Sequence, residues 1–261
     1  MNTSSKTIGI VLSGGGSKGI AHAGALQFLT EQNISPSCIA GTSAGAVVGG
    51  LYAFGKKPQE ILEFFKSIYF FHWKHFTFKK AGLIDSDSFK SYFSAILGDV
   101  TLGELNTPAY ITATDLVTGK LKVFTPETKL VDAILASSSF PGMLSPYKMD
   151  KKLYSDGGIL NHFPTDLLQG KCDYLIGVYV SPLQNIEAKD IQSIKSVTSR
   201  AFDLLYANHN FQKFNMCDWL IEPKQLVNYS TFETNKSKMD LIFEIGYNEA
   251  KSSFQNLNYI S

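Results

Sequence analysis

The sequence predicts an α/β fold built on a mostly parallel sheet, and three observations carry that prediction. A strand, a glycine-rich turn and a helix follow one another twice before Ala53, the pattern of parallel strands joined by crossover helices. A long buried run, Tyr174-Leu175-Ile176-Gly177-Val178-Tyr179-Val180, repeats the strand signature late in the chain. Length and composition agree: 261 residues, 44% hydrophobic and 18% charged, can bury a sizeable core and exclude a disordered chain. No internal repeat, low-complexity tract or long linker divides the sequence, so one domain over 1–261 is the simpler expectation.

The elements follow in order. Lys6 to Leu12 reads as a buried strand, broken by Ser13-Gly14-Gly15-Gly16-Ser17-Lys18-Gly19. A helix over Ile20–Glu31 comes next, whose Ala21, Ala23, Gly24 and Ala25 permit close packing. Cys38-Ile39-Ala40 is a second strand ending in Gly41-Thr42-Ser43-Ala44-Gly45, and Ala46–Ala53 is helical. Pro58 opens a helix running to about Ile68. Asp85 to Ser88 supplies capping chemistry for a helix over Phe89–Leu97, closed by Gly98. Tyr110–Thr114 and Leu121–Phe124 form a hairpin through Thr118-Gly119. Lys129–Ser137 is a short helix, and Leu153-Tyr154-Ser155 leads into Asp156-Gly157-Gly158. Beyond Ser181 two helices, around Ile191–Asn208 and Lys238–Phe254, flank a strand near Trp219–Ile221.

Charge and cysteine usage narrow the function classes. Lys+Arg 24 against Asp+Glu 23 gives a net charge of +1, which excludes a charge-driven nucleic-acid binder. Cys38, Cys172 and Cys217 are odd in number and widely spaced, which favours small buried thiols in a reducing compartment over a disulfide framework or zinc site. Met1 to Lys6 is polar, with neither an apolar h-region nor a cleavage site, and no stretch approaches the ~20 apolar residues of a membrane span. The expectation is a soluble, cytoplasmic protein that needs no metal and no cofactor.

Gly14, Gly16 and Gly19 match the dinucleotide-binding spacing, but no Asp or Glu lies between Glu31 and Glu60 to bind a ribose. A P-loop fails too, because Ile20 follows Gly19. The remaining reading is a set of backbone N–H donors at a helix N-terminus, suited to the oxyanion of acyl transfer. Gly41-Thr42-Ser43-Ala44-Gly45 is G-x-S-x-G between strand and helix, the context of a nucleophile elbow. Its flanking glycines Gly41 and Gly45 leave room for a strained Ser43 whose hydroxyl is exposed at the sheet edge.

A serine nucleophile needs a base. Of five histidines, His22 reads as packed in the first helix, His72 and His75 as surface or interface residues, and His209 as solvated. His162 stands nearest to chemistry, six residues after Asp156, without another catalytic signal around it. Asp156 is better placed, because Gly157 and Gly158 turn the chain away and let its carboxylate reach a cleft; Asp-Gly-Gly alone is also a common turn.

Together, the Ser13–Gly19 turn, the Gly41–Gly45 elbow and Asp156-Gly157-Gly158 resemble the patatin-like phospholipase family in order and context. Ala136-Ser137-Ser138-Ser139-Phe140-Pro141-Gly142, Ala113-Thr114-Asp115, and Asn161 with Pro164 strengthen the resemblance. It is dense over about 8–182 and thinner through the helical region 186–261, where Ile245-Gly246-Tyr247 still fits bacterial members. It implies a three-layer α/β/α, patatin-like fold and a serine–aspartate dyad, with Ser43 as nucleophile and Asp156 as base. Gly14, Gly15 and Gly16, with Ala44, would form the oxyanion hole. Lys18 and Gly19 complete the motif; Ser13 stands where plant members carry Asp, and Lys18 where Arg is commoner. The implied activity is hydrolysis of fatty-acyl esters of phospholipids or lysophospholipids. Asp115 is expected to order the cleft wall rather than to react.

Aromatics and lysines interleave over 64–80, which suits peripheral contact with a membrane or a lid over the cleft. A core helix followed by an aromatic loop fits as well, and the irregular spacing from Phe70 favours it. Two alternatives to hydrolysis stay open. One is an acyltransferase resembling malonyl transacylases, which want histidine where Thr42 stands. The other is a lipid-binding regulatory module without catalysis.

Overall fold

The computed structural model describes residues 6–72, 86–255 and 257. Its elements are β1 (Ile8–Leu12), α1 (Ile20–Glu31), β2 (Cys38–Gly41), α2 (Ala44–Ala53), α3 (Pro58–His72), α4 (Ser86–Leu97), β3 (Ala109–Asp115), β4 (Lys120–Val123), α5 (Leu130–Ser138), β5 (Tyr147–Met149), β6 (Lys152–Asp156), α6 (Gly158–Asn161), β7 (Tyr174–Val178), α7 (Ile194–Phe214), β8 (Trp219–Ile221) and α8 (Lys236–Gln255). They form one mixed, mostly parallel sheet in the order β5-β6-β3-β2-β1-β7-β8, with β4 paired to β3. The neighbours among β1, β2, β3, β7 and β8 are parallel; β4, β5 and β6 are antiparallel additions.

The register along β3 decides how the sheet closes around its carboxyl end. Ile39–Gly41 of β2 pair with Ala109–Ile111, and Tyr154–Asp156 of β6 pair with Ala113–Asp115. The Ile39 N–H donates to Pro108 O and the Leu116 N–H to Leu153 O, whereas the Phe124 N–H of the β4 side donates to Ile111 O. Successive residues of a strand point their backbone groups to alternate edges. Pro108 and Leu116 therefore serve one edge and Ile111 the other. β2 and β6 lie end to end on the same edge of β3, running toward each other, so their last residues converge.

Side chains alternate across the strands and feed two unequal cores. Ile10, Leu12, Ile39, Ile111, Ile176 and Val178 face the larger one, shared with α1, α2, α3, α5 and α8. Val11, Ala40, Leu175 and Tyr179 face a smaller one, covered by Phe163, Leu168 and Phe214 near the end of α7. The outer layers of the sandwich are thus a thick helical side and a thin one.

Most elements fall where the sequence predicts, with two additions. The β5–β6 hairpin turns through Asp150 (φ 49°) and Lys151 (φ 61°), a left-handed pair that glycine or asparagine usually supplies, so the turn leaves no signal. α7 runs on to Phe214, six residues beyond the expected end at Asn208. The α1–α8 interface is tighter than aliphatic packing allows. A Cβ at Gly24 would lie 1.9 Å from Phe243 O, and one at Gly246 would lie 2.0 Å from Ala21 O. The small residues of α1 thus let the two backbones meet. Gly246→Ala is expected to destabilise the fold by about 3 kcal/mol, from overpacking against backbone that cannot yield. Urea unfolding measures this, and a cost below about 1 kcal/mol would contradict the contact.

Candidate active site

Ser43 sits between β2 and α2 with φ 54° and ψ −120°, a conformation costly for any residue with a side chain. The glycines around it are steric requirements. A Cβ at Gly41 would lie 2.4 Å from Gly45 O, and one at Gly45 would lie 2.2 Å from Leu12 O. The strained turn is thereby held against β1 and lifts the Ser43 side chain off the sheet.

At the converging end of β6, Asp156 meets it. Ser43 Oγ donates to Asp156 Oδ2 at 2.6 Å, and the Gly158 N–H donates to Asp156 Oδ1 at 2.7 Å. Asp156 is 1% exposed. Burial pushes its carboxyl up to about 6, against the two hydrogen bonds from Ser43 and Gly158, which favour the charged form. The carboxylate is thus ionised at neutral pH yet far more basic than an exposed aspartate.

The serine run at the end of α5 holds both partners. The Ser43 N–H donates to Ser137 Oγ at 2.8 Å. The Gly157 N–H reaches Ser137 O at 3.2 Å, and the Asp156 N–H reaches Ser139 O at 3.0 Å. Ser155 Oγ also donates to Ser139 O. Ser137 and Ser139 have no assigned role at the sequence level beyond their place in a family run; their spacing next to Pro141-Gly142 is the only signal that marks them.

The glycine-rich turn faces the same point. Ala44 opens α2, where the first N–H groups of a helix have no carbonyl above them. Gly15 and Gly16 border the same cavity as Ser43. Gly14 departs from the expected donor set, because its N–H is spent on His162 O at 3.0 Å; it shapes the turn instead. His22, expected as a packed imidazole, is fully buried and its Nε2 donates to Ser13 O at 2.8 Å, bracing the turn. Burial pushes it down to about 4, so it is neutral. Lys18 is half-buried opposite Asp203 of α7; burial lowers its ammonium below the ordinary lysine range and Asp203 works against that.

Gly19 lies against α2, where a Cβ would meet Ala44 Cβ at 2.5 Å. Asp115 lies away from the expected cleft wall: its Oδ1 accepts from the Val117 and Thr118 N–H groups and caps the β3–β4 turn. His162 is buried beside the site, stacked on Tyr206 of α7 with ring centroids 4.1 Å apart. His75, and the side chains of His72 and His209, lie outside the described residues, as does 73–80 of the aromatic segment. Among the described residues, no group of three or more His, Cys, Asp or Glu side chains could hold a metal ion. No helix of the described residues is long and apolar enough to cross a membrane.

A cavity of about 280 Å³ extends from Ser43 and Asp156. Phe64 and Phe65 of α3, Phe93 of α4 and Leu135 of α5 line it, with Phe140 and, from α7, Phe202. Phe232, in the loop before α8, packs on Phe140 and closes the same wall. The wall is largely hydrocarbon, with Ser43 and Asp156 bordering it, a composition that fits a long apolar chain ending in a polar, reactive group.

Comparison with known proteins agrees with this arrangement. A family model described as patatin-like phospholipase matches residues 10–168. An uncharacterized NTE family protein of Mycobacterium tuberculosis is 32% identical over 203 residues, covering 73% of this chain and 53% of its own. A patatin-like phospholipase domain-containing protein of Caenorhabditis elegans is 28% identical over 172 residues, covering 62% of this chain and 12% of its own. The chain therefore spans about half the length, or less, of these curated relatives. Among solved structures, VipD from Legionella pneumophila superposes with a TM-score of 0.66 at 14% identity, covering 97% of this chain and 67% of that one. The type III effector protein ExoU gives 0.51 at 14% identity, covering 97% and 53%. Both share the α/β fold.

The buried carboxylate has a cost that pH reveals. A carboxyl raised in the folded state favours folding below its unfolded value near 3.9, and that contribution is lost as pH rises through about 6. Asp156→Asn, which never ionises, is expected to be more stable than wild type by about 2 kcal/mol at pH 8 and no more stable at pH 4. Denaturation at the two pH values measures it; a difference that does not grow with pH would contradict the buried charge.

Proposed function

Because the chain belongs to the patatin-like phospholipase family, we propose that it is a lipid acyl hydrolase in which Ser43 is the nucleophile and Asp156 its base. The observation that carries this reading is the 2.6 Å hydrogen bond from Ser43 Oγ to a buried carboxylate, both lining an apolar cavity. Asp156 takes the Ser43 proton as Oγ attacks an ester carbonyl carbon. A base with a pKa near the working pH does this far better than an ordinary aspartate. The Gly15, Gly16 and Ala44 N–H groups receive the oxyanion, aided by the α2 dipole. Collapse expels the alcohol or lysolipid, which takes its proton from Asp156. Water then adds to the acyl-Ser43 carbonyl, passes a proton to Asp156, and Ser43 leaves with that proton as the fatty acid departs.

The substrate class is a fatty-acyl ester of a phospholipid or lysophospholipid, its chain laid along the phenylalanine wall. The segment 64–80 begins in that wall with Phe64 and Phe65, and peripheral contact with a lipid surface through it belongs to the same reading. The acyltransferase alternative gains nothing from Thr42, whose buried hydroxyl bonds Thr112 Oγ1 and Asn161 O rather than facing the cavity.

Fluorophosphonate labelling with p-nitrophenyl ester turnover tests the dyad. Wild type is expected to label and turn over, and Ser43→Ala and Asp156→Asn to lose about 1000-fold or more in kcat/KM. In wild type, kcat/KM is expected to fall below a midpoint near pH 6, as Asp156 protonates. Labelling that survives Ser43→Ala would remove the nucleophile, and acyl transfer to added alcohol outrunning hydrolysis would favour a transferase.

Chain-length preference tests the cavity separately. Val47, one helical turn beyond Ser43, lines it. Val47→Phe is expected to lower turnover of decanoyl relative to butyryl esters by about tenfold. An unchanged ratio would place the acyl chain elsewhere.

A further inference from the structure

His162 is 4% exposed, yet the protein makes little use of its ring. Nε2 is buried without a hydrogen-bond partner. Burial, with His22 and Lys213 nearby, pushes the imidazole down to about 3, so it is neutral and offers one N–H and one lone pair. That buried atom is a cost of about 1–3 kcal/mol with no compensation from the protein; the other nitrogen, Nδ1, is the one turned to the cavity.

The position of the ring says what Nδ1 can reach. It is stacked on Tyr206, with an interplanar angle of 9°, and lines the cavity together with Ser43 and Asp156. Its Nδ1–Cε1 edge faces the reaction centre. A Cβ at Gly14 would lie 2.6 Å from Cε1, 2.7 Å from Nδ1 and 3.5 Å from Ser43 Cβ. A Cβ at Gly158 would lie 3.0 Å from Nδ1 and 2.9 Å from Asp156 Oδ1. Only the absence of those two side chains keeps the imidazole edge open toward both members of the pair. The His162 carbonyl meanwhile accepts the Gly14 N–H, which fixes the ring relative to the glycine turn.

We infer that His162 and Asp156 together hold the water that hydrolyses the acyl-Ser43 intermediate. The inference rests on the hydrolase reading and adds a residue to its second half. The water oxygen adds to the acyl carbonyl carbon and its proton goes to Asp156. Ser43 Oγ leaves and takes up that proton, and the fatty acid departs. His162 only orients the water through a hydrogen bond; it gains and loses no proton, since burial disfavours its charged form. It is a positioning residue for deacylation and has no part in acylation.

The two half-reactions separate the outcomes. In His162→Phe, which keeps a ring against Tyr206, and His162→Asn, which keeps a polar group, the rate of fluorophosphonate labelling reports folding and Ser43 reactivity. The expected result is a wild-type labelling rate with p-nitrophenyl ester kcat reduced about tenfold to hundredfold in His162→Phe and less in His162→Asn. Acyl-enzyme accumulates as a burst and as an added acyl mass on the intact protein, and hydroxylamine, a stronger nucleophile, restores turnover. Unchanged kcat in His162→Phe would overturn the inference. So would labelling and kcat falling in proportion in both variants, which would make His162 a structural residue. Absence of labelling in wild type would instead sink the hydrolase reading itself.

Discussion

One edge of β3 carries two strands in succession, and the site depends on that shared edge. β2 occupies it as far as Ile111 and β6 from Ala113 onward, so two carboxyl ends that would normally lie at opposite rims of a sheet point at each other. A serine hydroxyl and a carboxylate 113 residues apart in sequence are thereby brought within a single hydrogen bond. No flexible loop has to find the other. In the mechanism proposed above, an antiparallel strand inserted into a parallel sheet takes the place of the late histidine loop of triad enzymes.

That convergence carries two penalties, and the surroundings offset both. Ser43 is held at positive φ, and Asp156 is ionised away from water. The end of α5 answers each with backbone and hydroxyl groups: Ser137 receives the Ser43 and Gly157 N–H groups, and Ser139 receives that of Asp156. Strain and a buried charge persist because the neighbouring structure over-determines them, and such features gather where chemistry is done.

Much of this is legible in the sequence, for reasons that differ between elements. The elbow is readable because Gly41 and Gly45 are themselves the steric condition for it. The buried strands are readable from apolar runs, and α1 and α2 from their small residues. The β5–β6 hairpin is not, since Asp150 and Lys151 adopt left-handed conformations that their side chains do not advertise. Gly14 cannot be separated from Gly15 and Gly16 by spacing, because only the long-range bond to His162 O withdraws it. The environment of Asp156, and so its basicity, comes from distant segments and has no local signature.

The cavity is assembled from residues inside and beyond the segment that matches the family. Residues 10–168, which match the family, supply Ser43, Asp156 and the glycine turn, whereas Phe202, Tyr206 and Phe232 come from beyond them. The Ser43–Asp156 geometry is held by close backbone contacts at Gly41 and Gly45, whereas the far wall is a helix and a loop packed through aromatic rings. Changes at Phe202 or Phe232 would therefore alter which chains the cavity admits while leaving the Ser43–Asp156 contact in place.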